Sequence, residues 1–391
     1  MHSEQGKPWA RRLLAVVIAL LVAAGCGGVD SGGTGAVVSV GPISGFGSII
    51  VNGVRFDESG ATIQDDDGNP VTRDRLLLGV MTRVDGSTPN SLQQSVANLV
   101  RITSELVGPV ASIDVAGATF SVLGQTVLVT PATAFDATLA GGLGSLSNGS
   151  TVEVYGRYDA ANGRYTATRI EARPNPAFYR LRGPVASVDS AQRTLAIGGE
   201  RIDFSGVPPA DVANAVTGNI VRAKLEVAQQ SGSWVAVALP LGVQQLPDGD
   251  AATVEGRISA FTSSRQFSVN GTPVDAGAAT FPNGEAGVVL GARVMVNGVS
   301  TAGVLHAGSV AFEGDEDSGN SHFELHGLIT AVDPAAMTFV LRGLSVDYSG
   351  PVQFEDGTAA DLTVGRHVEV QGILSSDGTG IKAQEIEFDL E

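Results

Sequence analysis

The chain is poor in residues that staple, neutralise or cross. It has one cysteine, Cys26, among 391 residues, so no internal disulfide can form and the fold must rest on packed cores. Lysine occurs only as Lys7, Lys224 and Lys382, and all basic residues number 24 against 41 acidic ones. Nucleic-acid binding depends on neutralising phosphates with Lys and Arg, so this acidity excludes nucleic acid as the main partner. Bare anionic lipid is repelled for the same reason. The apolar run Leu13 to Ala24 spans about 18 Å as a helix against a bilayer core of about 30 Å, too short to remain as a membrane span. Chemistry is scarce as well. No Ser/His/Asp nucleophile arrangement declares itself, and Gly141-Gly142-Leu143-Gly144 lacks the lysine and strand-to-helix setting of a phosphate loop.

What is present begins with a leader. Lys7, Arg11 and Arg12 precede the apolar run, and Ala23-Ala24-Gly25 precede Cys26, the order of a secretory signal. The small residues before Cys26 resemble the lipobox of bacterial lipoproteins, departing from it at Ala23, where leucine is usual. That resemblance implies lipid attachment at Cys26, with residues 1–25 as signal peptide and 26–38 as anchor and Gly/Ser tether. The alternative is an ordinary signal cut near Ala24 that leaves a free thiol. Processing before Cys26 leaves 21 basic and 40 acidic residues, a net charge of −19. Gly27 follows the cysteine; an Asp there would be the expected inner-membrane retention signal, so the outer membrane is favoured over the inner.

Hydrophobic residues make up 43 % and glycines number 51, which suits packed cores joined by many tight turns. About 365 residues exceed one hydrophobic core, so several domains are expected. An opening phrase, Gly-x-[Ile/Val] with another apolar residue three positions on, recurs at Gly41-Pro42-Ile43, Gly108-Pro109-Val110, Gly183-Pro184-Val185, Gly256-Arg257-Ile258 and Gly327-Leu328-Ile329. A closing phrase, Gly-x-x-Val-x-Val-x-Gly, reads Gly149, Val152, Val154, Gly156 in the second unit, Gly291 to Gly298 in the fourth and Gly365 to Gly372 in the fifth. The first unit has Thr82 at one valine position, and the third has Leu225 in place of the last glycine.

Within a unit the period is two: Phe120/Val122, Leu195/Ile197, Phe267/Val269 and Phe339/Leu341 alternate with polar or small residues, the pattern of strands with one buried face. The two apolar residues of the opening phrase are three apart, so a bulge is expected to turn both inward. Asn52-Gly53, Asp67-Gly68, Asn162-Gly163, Asn270-Gly271 and Asp377-Gly378 are hairpin signals. Leu92 to Ala97 and Pro209 to Val216 read as polar or weakly helical connections. The chain is thus expected to be all-β, a tandem string of about five small OB-like five-stranded barrels, with small β-sandwiches as the alternative. The units run over 39–106, 107–175, 180–245, 252–314 and 323–391.

The two phrases together resemble the uncharacterised bacterial tandem-repeat lipoprotein family called domain of unknown function 5666. The stretch Gly41 to Phe56 looks like its N-terminal form. His322-Phe-Glu-Leu-His-Gly327, Val368 to Gly372 and Ile381 to Phe388 look like its later copies. The resemblance implies a fold and an exported address, and it carries no catalytic residues.

Metal candidates are few. Asp65 and Asp67, before Gly68, resemble the start of a calcium loop without the closing glutamate, and a solvated hairpin tip is the plainer reading. Asp315 and Asp317 stand in a charged stretch read as a linker. His322 and His326 share one face of an extended strand, with His306 a further candidate, and beside Asp315 and Asp317 they could hold zinc. No cofactor is implied. The expected function is a non-enzymatic envelope lipoprotein, structural, adhesive or spacing. It would be held to the membrane through acylated Cys26, with other envelope proteins or glycans as partners. A ligand-binding protein for glycan, peptide or divalent cation is the alternative, and a hydrolase a remote one.

Overall fold

The computed structural model describes residues 36–243, 246–313 and 322–389. The leader, Cys26 and the acidic stretch with Asp315 and Asp317 lie outside the described residues. Alternating apolar positions, interrupted every few residues by tight turns, give 28 strands among the described residues. Barrel I has β1 (Ala36–Phe46), β2 (Ile49–Val51), β3 (Val54–Asp57), β4 (Thr62–Gln64), β5 (Met81–Ser87) and β6 (Gln94–Ile102). Barrel II has β7 (Leu106–Asp114), β8 (Thr119–Val122), β9 (Gln125–Leu128), β10 (Ala134–Phe135), β11 (Thr151–Asp159) and β12 (Arg164–Ala172). Barrel III has β13 (Tyr179–Asp189), β14 (Thr194–Ile197), β15 (Glu200–Asp203), a short helix α1 (Pro209–Val212), β16 (Ile220–Leu225) and β17 (Trp234–Ala238). Barrel IV has β18 (Ala251–Ser263), β19 (Gln266–Val269), β20 (Thr272–Asp275), β21 (Arg293–Thr301) and β22 (Val304–Glu313). Barrel V has β23 (Phe323–Asp333), β24 (Thr338–Leu341), β25 (Leu344–Asp347), β26 (Gln353–Glu355), β27 (His367–Leu374) and β28 (Ile381–Phe388).

Each unit closes as a barrel, not as a sandwich. In barrel V the first strand β23 pairs with β24 through its C-terminal half and with β27 through its N-terminal half. β27 pairs with β28, and β28 runs parallel to β25, which returns to β24. The parallel pairs β3–β6, β9–β12, β15–β17 and β20–β22 close the other four in the same way. This is the strand order of the OB type.

The two repeated phrases prove to be hydrogen-bonded partners. The N–H of Gly79, Gly149, Gly218, Gly291 and Gly365 donates to the carbonyl of Ile43, Val110, Val185, Ile258 and Ile329 respectively, at 2.8–2.9 Å. The N–H of each of those apolar residues donates back to the residue after the glycine, again at 2.8–2.9 Å. All five glycines take φ between 79° and 90°, a left-handed conformation that costs other residues about 1–2 kcal/mol. The last glycine of the closing phrase sits at a register shift where the neighbouring backbone is close. A Cβ on Gly372 would lie 2.3 Å from the Lys382 carbonyl oxygen. In barrel III, where Leu225 takes that place, β16 ends at Leu225 itself.

The expected bulge is found in the first strand of every barrel. Its consequence differs from expectation. Ile43, Val110, Val185, Ile258 and Ile329 are buried, whereas Phe46, Ile113, Val188 and Val332 are only partly buried and Phe261 is exposed. The bulge turns the second apolar residue to the barrel rim. Leu92 to Ala97 is also not a helical connection but the turn and start of β6. There the Asn90 side chain accepts from the N–H groups of Leu92 and Gln94 at 2.9 and 3.0 Å, and local turn bonds win over helix formation. Helix α1 does fall within Pro209 to Val216.

The barrels are joined laterally. The N-terminal half of β1 has β5 on one edge and β18 of barrel IV, in parallel, on the other. Its C-terminal half lies between β2 and β23 of barrel V. Barrels II and III pair through β7 and β13. One apolar core runs through barrels I and V and a second through II and III, while Val38 and Val40 of β1 complete the core of barrel IV. Arginine–carboxylate pairs seal the seams. Arg75 of barrel I reaches Glu171 at 2.8 Å and Glu153 at 3.1 Å in barrel II. Arg182 of barrel III meets Glu105 at 3.0 Å, and Arg157 of barrel II meets Glu255 of barrel IV at 2.6 Å.

Candidate metal centre on the fifth barrel

Four adjacent strands of barrel V present one outer face. The register places His326 of β23 beside Glu369 of β27, Glu387 of β28 and Glu355 of β26 in a single cross-strand row. The next row runs Glu324, Gln371, Glu385, Gln353. Barrel I supplies a guanidinium: Arg55 of β3 pairs with Glu324 and, at 3.4 Å, with Glu369. Burial, followed by repulsion from neighbouring carboxylates, raises Glu324, Glu385 and Glu387 above the ordinary glutamate range.

At the edge of this face two imidazoles and a carboxylate meet. His326 Nε2 lies 3.2 Å from Asp389 Oδ2, and His367 Nδ1 lies 2.5 Å from the same oxygen. The two rings are edge-on with centroids 4.5 Å apart. His367 Nδ1 is sealed from solvent and has no partner in hydrogen-bond geometry. The backbone explains the meeting: His367 stands opposite Leu328 in the β23–β27 ladder, and the Asp389 N–H donates to the His367 carbonyl at 3.3 Å. Barrel I backs the site, since a Cβ on Gly47 would lie 2.9 Å from that of His326. Arg342 donates to the His326 carbonyl at 2.6 Å and to the Gly47 carbonyl at 3.4 Å.

The other sequence candidates go elsewhere. His322 is exposed ahead of β23. His306 sits on barrel IV, 3.4 Å from Asp275. Asp65 caps its own turn, accepting from the N–H groups of Asp67 and Asn69 at 2.9 Å. Asp67 is not at a freely solvated tip: it pairs with Arg222 of barrel III at 2.5 Å and Lys224 at 3.5 Å. Burial pushes its carboxyl up, but Arg222, Arg180 and Lys224 hold it below the usual range. Asp66 beside it is partly buried, and that desolvation raises its carboxyl despite the nearby Arg182, Arg180 and Arg222. The Asp65–Asp67 hairpin is therefore a latch between barrels I and III, with the Asp67 carboxylate committed to cationic side chains and the Asp65 carboxylate to its own turn. His367 and Asp389 were missed in the sequence. The available signal was that the closing phrase pairs with the opening one, which brings the residue before Val368 beside the opening phrase that follows His326.

A cleft of about 230 Å³ opens beside the latch, lined by Phe178, Arg173, Arg180 and Glu153 among others, with the Lys224 ammonium 4.5 Å above the Phe178 ring. Among the described residues no helix is long and apolar enough to cross a membrane. A search of the curated proteins found no match. Barrels I and III have the strand order of the others, yet the family model that matches the chain covers segments of II, IV and V alone. Those segments, residues 107–171, 255–311 and 326–387, match the family described as a domain of unknown function (DUF5666), three repeats of that domain along the chain.

Proposed function

We propose that this is a non-enzymatic lipoprotein of the bacterial cell envelope, a stiff spacer or adhesive body held to the membrane, the outer one by preference, through acylated Cys26. The observation that carries the reading is the pairing of β1. With β5 and β2 of its own barrel, β18 of barrel IV against residues 37–40 and β23 of barrel V against residues 45–46 as its neighbours, it ties barrels I, IV and V into one body. A body of that kind holds a surface at a fixed distance from an anchor, which a string of loosely tethered domains does not. The net charge of −19 left after processing at Cys26 keeps the body off anionic headgroups, so attachment falls to the acyl chains. Replacing Cys26 by Ser is expected to move the protein from the membrane fraction to the soluble or unprocessed fraction and to abolish labelling by a palmitate analogue. Labelling that persists in Cys26→Ser defeats the anchor, and a small-angle scattering profile of independent beads defeats the stiff body.

A further inference from the structure

The geometry of barrel V points to a second property, independent of anchoring. We propose that His326 Nε2, His367 Nδ1 and the Asp389 carboxylate bind one divalent late first-row transition ion, with zinc as the representative. The donor set is the first reason: two imidazole nitrogens and one carboxylate oxygen are zinc-type ligands, and three protein ligands with an open position are a recurrent arrangement for that ion. Their placement is the second. The three ligand atoms lie within 4.8 Å of one another, each brought in by a different strand or strand end of one continuous ladder.

The third reason is the unfinished hydrogen bonding. His367 Nδ1 is buried, and the carboxylate oxygen 2.5 Å away lies outside hydrogen-bond geometry. A buried polar atom left in that state is costly, and an ion accepting both lone pairs removes the cost. The neighbourhood selects the sign of charge, since Glu369 flanks His326 and Glu387 follows in the same row. Three guanidinium groups stand near the site: Arg55 bonds Glu324 and Glu369, Arg342 bonds the carbonyls of His326 and Gly47, and Arg366 donates to the Asp389 main-chain carbonyl at 3.4 Å. With side chains 29–44 % exposed, the remaining coordination positions are open to water or to an external ligand. Because His326 also packs against Gly47, the ion sits at the seam between barrels I and V.

The test uses the full chain with Cys26→Ser, which removes the competing thiol, stripped with a chelator and titrated with Zn²⁺ by calorimetry. One saturable equivalent is expected. His367→Ala and Asp389→Asn should each weaken binding by about tenfold or more, while His306→Ala and His322→Ala leave it unchanged. Co²⁺ should give visible d–d bands that vanish in His367→Ala, and Ca²⁺ at matched ionic strength should give no saturable heat. If His367→Ala fails to fold, Asp389→Asn at the half-exposed strand end decides. Absence of saturable Zn²⁺ binding overturns the proposal, as does binding that survives both ligand replacements or is lost with His306 or His322.

Discussion

Where barrel II meets barrel IV, Glu255 is held at 2.6 Å by Arg157 and at 2.7 Å by Arg293, with side-chain exposures of 4 % for the glutamate and 1 % for Arg157. On the outer face of barrel V, Glu355, Glu369 and Glu387 stand in one row, and Arg55 reaches only one of them. Both places set carboxylate charge on the wall of a small barrel. At the seam, burial pushes the Glu255 carboxyl up, yet Arg157 and Arg293 hold it below its ordinary value. On the face, burial and like charge act together and raise Glu385 and Glu387. The seam is electrostatically complete, and the face carries unspent negative charge. That difference separates a structural contact from a surface that favours cations.

The comparison breaks most severely at the seam. Arg157→Ala leaves Glu255 buried with Arg293 alone and is expected to cost about 3 kcal/mol, the low end for stripping a partner from a buried pair. Denaturant unfolding at neutral pH measures it. The double replacement Arg157→Met with Glu255→Leu is expected to be much closer to neutral, because no uncompensated charge remains. If Arg157→Ala costs less than about 1 kcal/mol, the range of an exposed pair, the seam is no more complete than the face. On the face, Arg55→Ala removes the cation shared by Glu324 and Glu369, whose side chains are 28 % and 19 % exposed. Solvent screens such a pair, so about 1 kcal/mol or less is expected. A loss equal to that of Arg157→Ala would erase the distinction between the two sites.

The repeat was legible because strand alternation and the turn glycines are local signals. Phe339 and Leu341 alternate visibly, and Gly365 marks a turn because glycine readily adopts the left-handed φ of 88° found there. The meaning of the phrases was less accessible: Gly365 bonds to Ile329, 36 residues earlier, and only barrel closure brings them together. The seams left no periodic trace. Arg157 and Glu255 are single residues 98 positions apart, and each reads alone as an ordinary solvated charge. Asp65 to Asp67 misled for the same reason, since a cluster near a Gly looks like a loop until Arg222 is found against it. At the metal centre, His326 was visible beside His322. His367 and Asp389 entered only through the β23–β27–β28 ladder.

The smallest effect is the most discriminating, because it concerns sign. Glu387 has its folded pKa raised above the ordinary 4.5, by burial first and then by Glu369 and Glu355. The folded state therefore holds this proton more tightly than the unfolded chain, and just above pH 4.5 stability falls as pH rises through the folded value. Glu255 runs the other way. Its folded pKa is lowered, so its contribution is present above 4.5 and is lost as pH falls through the folded value. Glu387→Gln should therefore raise the unfolding temperature slightly at pH 7 relative to wild type, with the gain vanishing as the pH approaches 4.5. The penalty of Arg157→Ala should instead shrink as acid protonates Glu255. Thermal unfolding of wild type and both variants across that window checks the pair. If Glu387→Gln destabilises at pH 7, its charge is compensated on the folded face, and the contrast with the seam fails.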